Sequence, residues 1–320
     1  FMDILCKMIK CNFIRGTSIE STHNLCGVVV DSNKKILHSF GNHLLSVPAR
    51  STLKPFQSAA ALKEGSYSNF TEKEVTLTCA SHNGQPRHVN TAQAMLEKLN
   101  FSKEDLECGK HPPHLEKNKK RYNNLHNNCS GKHIGMLAFS KTLKINNKNY
   151  IHQKHPVQKN IKKYLEILLN KKINDFAIDG CSAPTPYLSI LDIAHLYAQL
   201  CEGKREELKN IYEAISKNPF LLAGDKRFDT TLIRALNKKG ISKGGAEGLL
   251  AIAVKNKTQN IGICIKSMDG SSRARGIVAV KLLQKLKLLT QKEAESLSRY
   301  LDPAIFNLNK IKTGYVQVEF

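Results

Sequence analysis

Between Leu25 and Gly41 the chain reads LCGVVVDSNKKILHSFG, two short apolar runs around a polar turn at Asp31–Lys35, and this predicts a β-hairpin. After Ser51 the period changes. Leu53, Phe56 and Ala60 recur at helical spacing and predict a helix that ends near Gly65. Pro55 fits the first turn of that helix, where backbone N–H groups have no intrahelical partner to lose, so Ser51 stands close to the helix start. Further helical patterns cover 71–80, 87–99, 131–143, 156–169, 189–201, 205–217, 227–238 and the tail 271–300. FAIDG, 176–180, reads as a short buried strand. GLLAIAVKN and NIGICIKSMDG read as a strand pair at 248–254 and 260–266 joined by a polar turn.

Strands at both ends around a helical middle predict an α/β sandwich whose sheet pairs N- and C-terminal segments. Such a sheet brings Lys266, at the end of a late strand, near residues that follow the early strands. No repeat, low-complexity tract or Pro/Gly/Ser-rich linker divides the chain, so residues 8–320 are expected to form a single domain after an N-terminal extension, 1–7.

The 320 residues are 41% hydrophobic and 24% charged, ordinary globular material able to bury a core. No apolar run is long enough to span a membrane. The start, FMDILCKMIKCNFIRG, is broken by Asp3, Lys7 and Lys10 and lacks a secretory pattern, so the expected location is the cytoplasm. Nine scattered cysteines without a C-x-x-C pair agree, since they point to reduced thiols rather than a disulfide framework. A net charge of +22 raises the question of nucleic acid. The excess is nearly all Lys, spread from Lys7 to Lys312, with no Trp to stack bases. Its densest run, Lys117–Arg121, reads as a solvated polar loop, so no specific nucleic-acid role is expected.

Candidate chemistry lies in small polar islands set in this Lys-rich background: RSTLKPFQS (50–58), CASHNGQPRH (79–88), HNNCSGKH (126–133), DGCSAPTP (179–186), AGDKRFDT (223–230), KGGAEG (243–248) and IKSMDGSSRARG (265–276). Gly, Ser, Asn and Asp gather where tight turns expose polar groups, and several islands fall at predicted element ends. Ser51 and Lys54 have the spacing at which two helical side chains share a face. Residue types alone leave two readings open: a nucleophile with its own base, or the capped start of an ordinary helix.

Taken together and in order, from IRGTSIESTH (14–23) to IKSMDGSSRARG, the islands resemble the rhizobial-type (class 3) L-asparaginases, the asparaginase II family. The most specific elements are HNNCSGKH and the ordered Ser-Lys, Ser-His-Asn-Gly and Lys-x-x-Asp-Gly motifs. The resemblance implies an antiparallel sheet flanked by helices, similar to serine β-lactamases and serine-dependent glutaminases. It also implies hydrolysis of L-asparagine to L-aspartate and ammonia through an acyl-enzyme, in a homodimer. Two Ser–Lys couples carry over, Ser51 with Lys54 and Ser81 with Lys266, the first as nucleophile and base. Neighbouring lysines depress each other's pKa, which would leave one neutral as base and one charged. Arg50 suits the substrate α-carboxylate as a bidentate fork and Asp179 its α-ammonium, while Asn83 and the Gly244–Gly245 backbone suit the amide or oxyanion. The resemblance further implies a zinc ion held by Cys129, Lys132 and Cys181, although by spacing alone Cys129 reads as a buried cysteine at a helix start. The alternative within the same fold is a serine-dependent glutaminase or a β-lactamase-like acyl transferase.

Overall fold

A computed structural model describes residues 7–116, 118, 120–256 and 259–320. Most of the expected 1–7 extension, and Lys117 and Lys119 of the basic run, lie outside the described residues. The chain starts with β1 (Ile9–Arg15), β2 (Ser18–Asp31), β3 (Ile36–Phe40) and β4 (Ser46–Pro48). Helices follow as α1 (Lys54–Lys63), α2 (Glu72–Thr78), α3 (Pro86–Leu99), α4 (Ser130–Thr142) and α5 (Pro156–Leu169). Then come β5 (Phe176–Ile178), β6 (Pro184–Ser189), α6 (Ile190–Glu202), α7 (Glu206–Lys217), α8 (Pro219–Leu222) and α9 (Phe228–Leu236). The rest is β7 (Gly240–Gly244), β8 (Leu249–Lys255), β9 (Asn260–Ser267), α10 (Arg275–Lys285), α11 (Gln291–Ser296), α12 (Ser298–Leu301), β10 (Ala304–Phe306) and β11 (Lys312–Glu319).

The chain divides into two compact units, the first up to Val47 with Leu188–Cys201 and Thr231–Phe320, the second Pro48–Tyr187 with Glu202–Thr230. The boundaries fall within or beside secondary-structure elements, so no linker composition marks them. In the first unit one sheet runs β10-β11-β1-β2-β9-β8-β7, with β3 beside β2, and its registers are antiparallel. N- and C-terminal segments pair as the sequence predicts: Phe13 stands opposite Val316, and Val28 opposite Cys264. The β2–β3 hairpin turns through Asp31–Lys35, where Lys34 N–H bonds the Asp31 carbonyl. β8 and the inner part of β9 are almost continuously buried, the mark of a strand covered on both faces. One cover is α6. At Gly262 in β9 an added Cβ would stand 1.8 Å from the Ala194 carbonyl oxygen of that helix, so only glycine permits this approach.

The second unit is mainly helical. Every α4 residue from Ser130 to Ser140 is buried, as is Lys54–Ala61 of α1. Apolar periodicity reads the bounds of α3, α5, α7 and α9 to within a residue or two. One open reading and two expectations are corrected. Ser51 is not a helix cap: the backbone enters α1 through a 3₁₀ turn at Arg50–Leu53, Leu53 holds the cap position, and Pro55 sits in the first turn as expected. FAIDG is not buried, since only Phe176–Ile178 is strand and Ile178 is 82% exposed. The tail is interrupted between Lys285 and Gln291 and ends in the β10–β11 hairpin, whose period-2 alternation lies beyond the helical pattern.

Replacing Gly262 by Ala should destabilise the protein by about 3 kcal/mol, the upper range for overpacking of a closed core. Gly65→Ala, at a site open to solvent, should cost only about 1 kcal/mol for its left-handed backbone. Urea unfolding of the two variants compares them directly.

Candidate active site

The centre of the second unit's polar cluster is Lys54. Its backbone opens α1 and its side chain has no exposed surface. A buried ammonium needs acceptors for all three protons. Lys54 Nζ has three: the Ala80 carbonyl oxygen at 2.5 Å, Ser81 Oγ at 3.0 Å and Cys129 Sγ at 3.2 Å. The carbonyl can only accept. Ser81 and Cys129 can also return a proton, so a neutral Lys54 would turn its lone pair toward one of them.

Ser81 follows α2 in a stretch held from both sides. Ser81 and Asn83 donate their backbone N–H groups to the Leu222 and Ala223 carbonyls, while His82 donates to Asn128. Gly84 completes the turn at φ +71°, and an added Cβ there would lie 2.8 Å from the His126 carbonyl oxygen. The Asn83 amide is engaged within the unit, donating to the Asp225 carbonyl at 2.9 Å and accepting from Arg227 at 3.1 Å. Arg50 has φ +48°, a left-handed conformation rare for a residue with a side chain, and it immediately precedes Ser51. Its Nε donates to Asp179 Oδ1 at 2.6 Å. The two groups expected to meet an amino acid's carboxylate and ammonium thus face each other. Ser51 is half-buried and does not share in Lys54's hydrogen bonds; the serine that meets Lys54 is Ser81.

Beside this cluster lie Cys129, Lys132, His133 and Cys181, all buried. Lys132 Nζ donates to Cys181 Sγ at 2.9 Å and stands 4.0 Å from Asp179 Oδ2. The Cys129 thiol hydrogen-bonds Cys181 and, against the cost of burial, holds Cys181 far below the usual thiol range, with Lys132 and His133 assisting. Cys129 is correspondingly pushed up by that bond and by burial. Burial works against the Lys132 ammonium, but Cys181, Cys129 and Asp179 outweigh it and hold its pKa above the ordinary value. Cys129, Cys181, Lys132 and Asp179 are thus linked through their protons and charges. Tyr150 accepts from the Glu107 N–H, and its hydroxyl meets His133 Nδ1 at 2.8 Å. Among the described residues no group of three or more His, Cys, Asp or Glu converges as a metal site; the set here is two sulfurs and a lysine nitrogen.

Two expected site elements belong to the first unit. Lys266, near the end of β9 opposite Cys26 and Leu249, has its ammonium disfavoured by burial, which outweighs Glu247, Asp269 and Cys26. Gly244 ends β7 and Gly245 follows it. Gly245 N–H bonds the Leu249 carbonyl, Lys243 donates to the Gly244 carbonyl at 3.0 Å, and Arg275 donates to that of Gly245 at 2.5 Å. Sequence reasoning missed the clamps: Asp225 and Arg227 on Asn83, His82 on α4, and His133 with Tyr150. The islands AGDKRFDT, CASHNGQPRH and HNNCSGKH contained most of them, but only the fold reveals what each one holds.

The geometry brings a buried lysine, a serine and a cysteine together, and the sequence comparison supplies the family. The profile of the L-asparaginase II family matches residues 11–318, nearly the whole chain, and the chain belongs to that family. Members of that family are hydrolases acting on amides. No curated protein matches. Among solved structures one similar chain is "Mglu in its native form in the presence of 4.3M NaCl", at 14% identity, covering 83% of this chain, with a TM-score of 0.38. This chain spans 61% of that protein's length.

Acid should loosen the unit that carries the cluster. Burial lowers His88 from the ordinary histidine value of about 6.5 to about 4. The unfolded chain then takes up this proton first, and stability falls as pH drops from about 6.5 to about 4. The loss is on the order of 3 kcal/mol for this group alone. Denaturation midpoints across that window should fall for the wild type and fall less for a folded His88→Phe protein.

Proposed function

We propose that this protein is an L-asparaginase that forms an acyl-enzyme on Ser51. The observation that carries the reading is Lys54, fully buried, three residues after Ser51 on continuous helical backbone and 3.0 Å from Ser81 Oγ. In the neutral form Lys54 takes the proton of Ser51, directly or through Ser81, as the Ser51 oxygen attacks the side-chain carboxamide carbon of asparagine. The tetrahedral intermediate collapses by breaking its C–N bond, and ammonia leaves with the proton returned from Lys54. Water then attacks the ester, and its proton follows the same route, releasing aspartate and restoring Ser51. Ser51 is assigned the attack because it is the more exposed of the two serines and follows a strained left-handed residue. The resemblance assigns Ser81 and Lys266 to a second couple, and the burial that disfavours the Lys266 ammonium supports a role in proton transfer. The Arg50–Asp179 ion pair matches an amino-acid zwitterion group for group, so the substrate's α-carboxylate and α-ammonium would take over its two halves. Asn83 and the Gly244–Gly245 backbone complete the proposed substrate contacts. The reading treats residues 8–320 as one catalytic domain of a cytoplasmic homodimer.

Ser51→Ala and Lys54→Ala should each reduce ammonia release at least about a thousandfold while the proteins stay folded. Mass spectrometry of a quenched reaction should find the acyl group on Ser51. An acyl group on Ser81 would exchange the two serines, and wild-type turnover in both variants would remove the mechanism. The spacing Ser51-x-x-Lys54 with Ser81-x-Asn83 also matches two of the motifs of serine β-lactamases, which favours a second reading as a lactam or glutamine acyl transferase. Comparing kcat/KM for asparagine, glutamine and a chromogenic lactam decides between them.

Zinc is part of the proposal. Cys129, Cys181 and Lys132 would hold it, and the arrangement fits a thiophilic cation: two sulfurs and a lysine nitrogen lie together, and Cys181 is held toward its thiolate form by its neighbours. Bound there, zinc would supply an electrophilic centre beside the Arg50–Asp179 pair. Lys132 and Cys129 must both lose protons to ligate it. Calorimetric titration of metal-free protein in buffers of different ionisation heat should therefore show about one zinc bound and roughly two protons released near neutral pH. Absence of binding would remove zinc from the reading, and binding without proton release would remove Lys132 and Cys129 as ligands.

A further inference from the structure

The Ser81 stretch is tied to α4 by one ring. His82 Nδ1 accepts the backbone N–H of Gly84 at 3.0 Å, so the ring is neutral and its proton is on Nε2. Nε2 lies 2.9 Å from Ser130 Oγ, and Ser130 gives its own proton to the Leu125 carbonyl at 3.0 Å. The direction of every bond is thereby fixed: His82 donates and Ser130 accepts. Ser130 is the first residue of α4 and follows Cys129, the third acceptor of Lys54. The flat face of His82 is held as well. His88 stacks on it at 4.8 Å and 9°, and Phe220 stacks on His88 with the same spacing and angle. His88 accepts the Gln85 N–H at Nδ1 and donates from Nε2 to the Phe220 carbonyl, so it too is neutral with a fixed tautomer. The ring beside Ser81 thus has its rotation, tautomer and tilt determined by separate contacts, more than a core histidine needs in order to be satisfied.

We infer that His82 is a positioning residue for Ser81, acting through its Nε2–H···Ser130 bond, which fastens the Ser81 stretch to the start of α4 and so keeps Ser81 Oγ on Lys54. The inference rests on the Ser–Lys reading of the site. It says that the link to Ser130, not the bond to Gly84, carries the effect. Two substitutions separate these bonds. Asn in place of His82 can accept the Gly84 N–H as Nδ1 does but does not reach Ser130; Gln can extend an amide N–H to Ser130 but loses the Nδ1 acceptor.

The experiment measures kcat and KM for asparagine, thermal melting, and the rate at which a fluorophosphonate labels the protein, in which a serine oxygen displaces fluoride at phosphorus. His82→Asn should lower kcat by roughly 10- to 100-fold with KM within about twofold, the signature of a misplaced reacting group rather than lost binding. His82→Gln should recover kcat to within about threefold, and labelling rates should follow the same order. A folded His82→Asn protein with wild-type kcat, or a folded Gln variant no better than Asn, overturns the inference. If either His82 variant fails to fold, Ser130→Ala decides, because it removes the acceptor and leaves the ring: the same fall in kcat supports the link, and wild-type kcat overturns it. Should the wild type fail to hydrolyse asparagine, the asparaginase reading falls. The labelling rates then test the link alone, with a drop in Asn and recovery in Gln supporting it and equal rates overturning it.

Discussion

An ammonium with no exposed surface must find an acceptor for each proton or give one up, and the polar half of the second unit is organised by that demand at Lys54. The lysine opens α1, so its place is fixed by a helix whose next seven residues are all buried. Its three acceptors come from the end of the α2 connection and from the residue before α4. Each acceptor is itself held: Ser81 through its backbone bond to Leu222, Cys129 through the Asn127 side chain. The lysine cannot move without breaking contacts on two segments, and those segments cannot move without leaving a charge unpaired.

The same demand accounts for the thiols beside it. Cys129 is shared: it accepts from Lys54 and donates to Cys181, which in turn accepts from Lys132. Lys132 and Arg50 are both neighbours of Asp179, one at 4.0 Å and the other at 2.6 Å. Two lysines, two sulfurs and a carboxylate therefore form one connected electrostatic system, and a change of proton at one member is felt by the rest. A site of this kind can hold a neutral lysine or a divalent cation, since either changes the charge at a point where partners are ready to compensate.

Much of this frame was legible in the amino-acid order, for a physical reason. Long amphipathic helices announce themselves through a period set by one buried face, and α5 and α7 were readable almost to the residue. The β2–β9 pairing followed from apolar runs too short for helices. The short strand β7 was not legible: GISKG buries a lysine between two glycines, and neither residue type signals a strand. Serine before an apolar run is the usual cap signal, so the sequence left a cap reading of Ser51 open, yet a 3₁₀ turn moves that position to Leu53. Partners of the site residues were less legible still. Ser51–Lys54 is a local spacing of three residues, whereas Lys54–Ser81 joins residues 27 apart and Arg50–Asp179 residues 129 apart, and a local pattern carries no signal for either.

What distinguishes the site residues from ordinary buried polar groups is redundancy of constraint. A satisfied core histidine needs two partners and gets them; His82 has two hydrogen-bond partners and, in addition, a stacked ring that fixes its plane. Asn83 is bonded through its backbone and both ends of its amide. Fixing a residue beyond what satisfaction requires brings little extra stability, because each further contact acts on a group already ordered. It does narrow the positions available to the neighbouring Ser81 hydroxyl, and a reacting atom gains more from a narrow distribution of positions than a structural one does. By that criterion the role proposed for Ser81 rests on the whole 80–84 stretch and not on its distance from Lys54 alone.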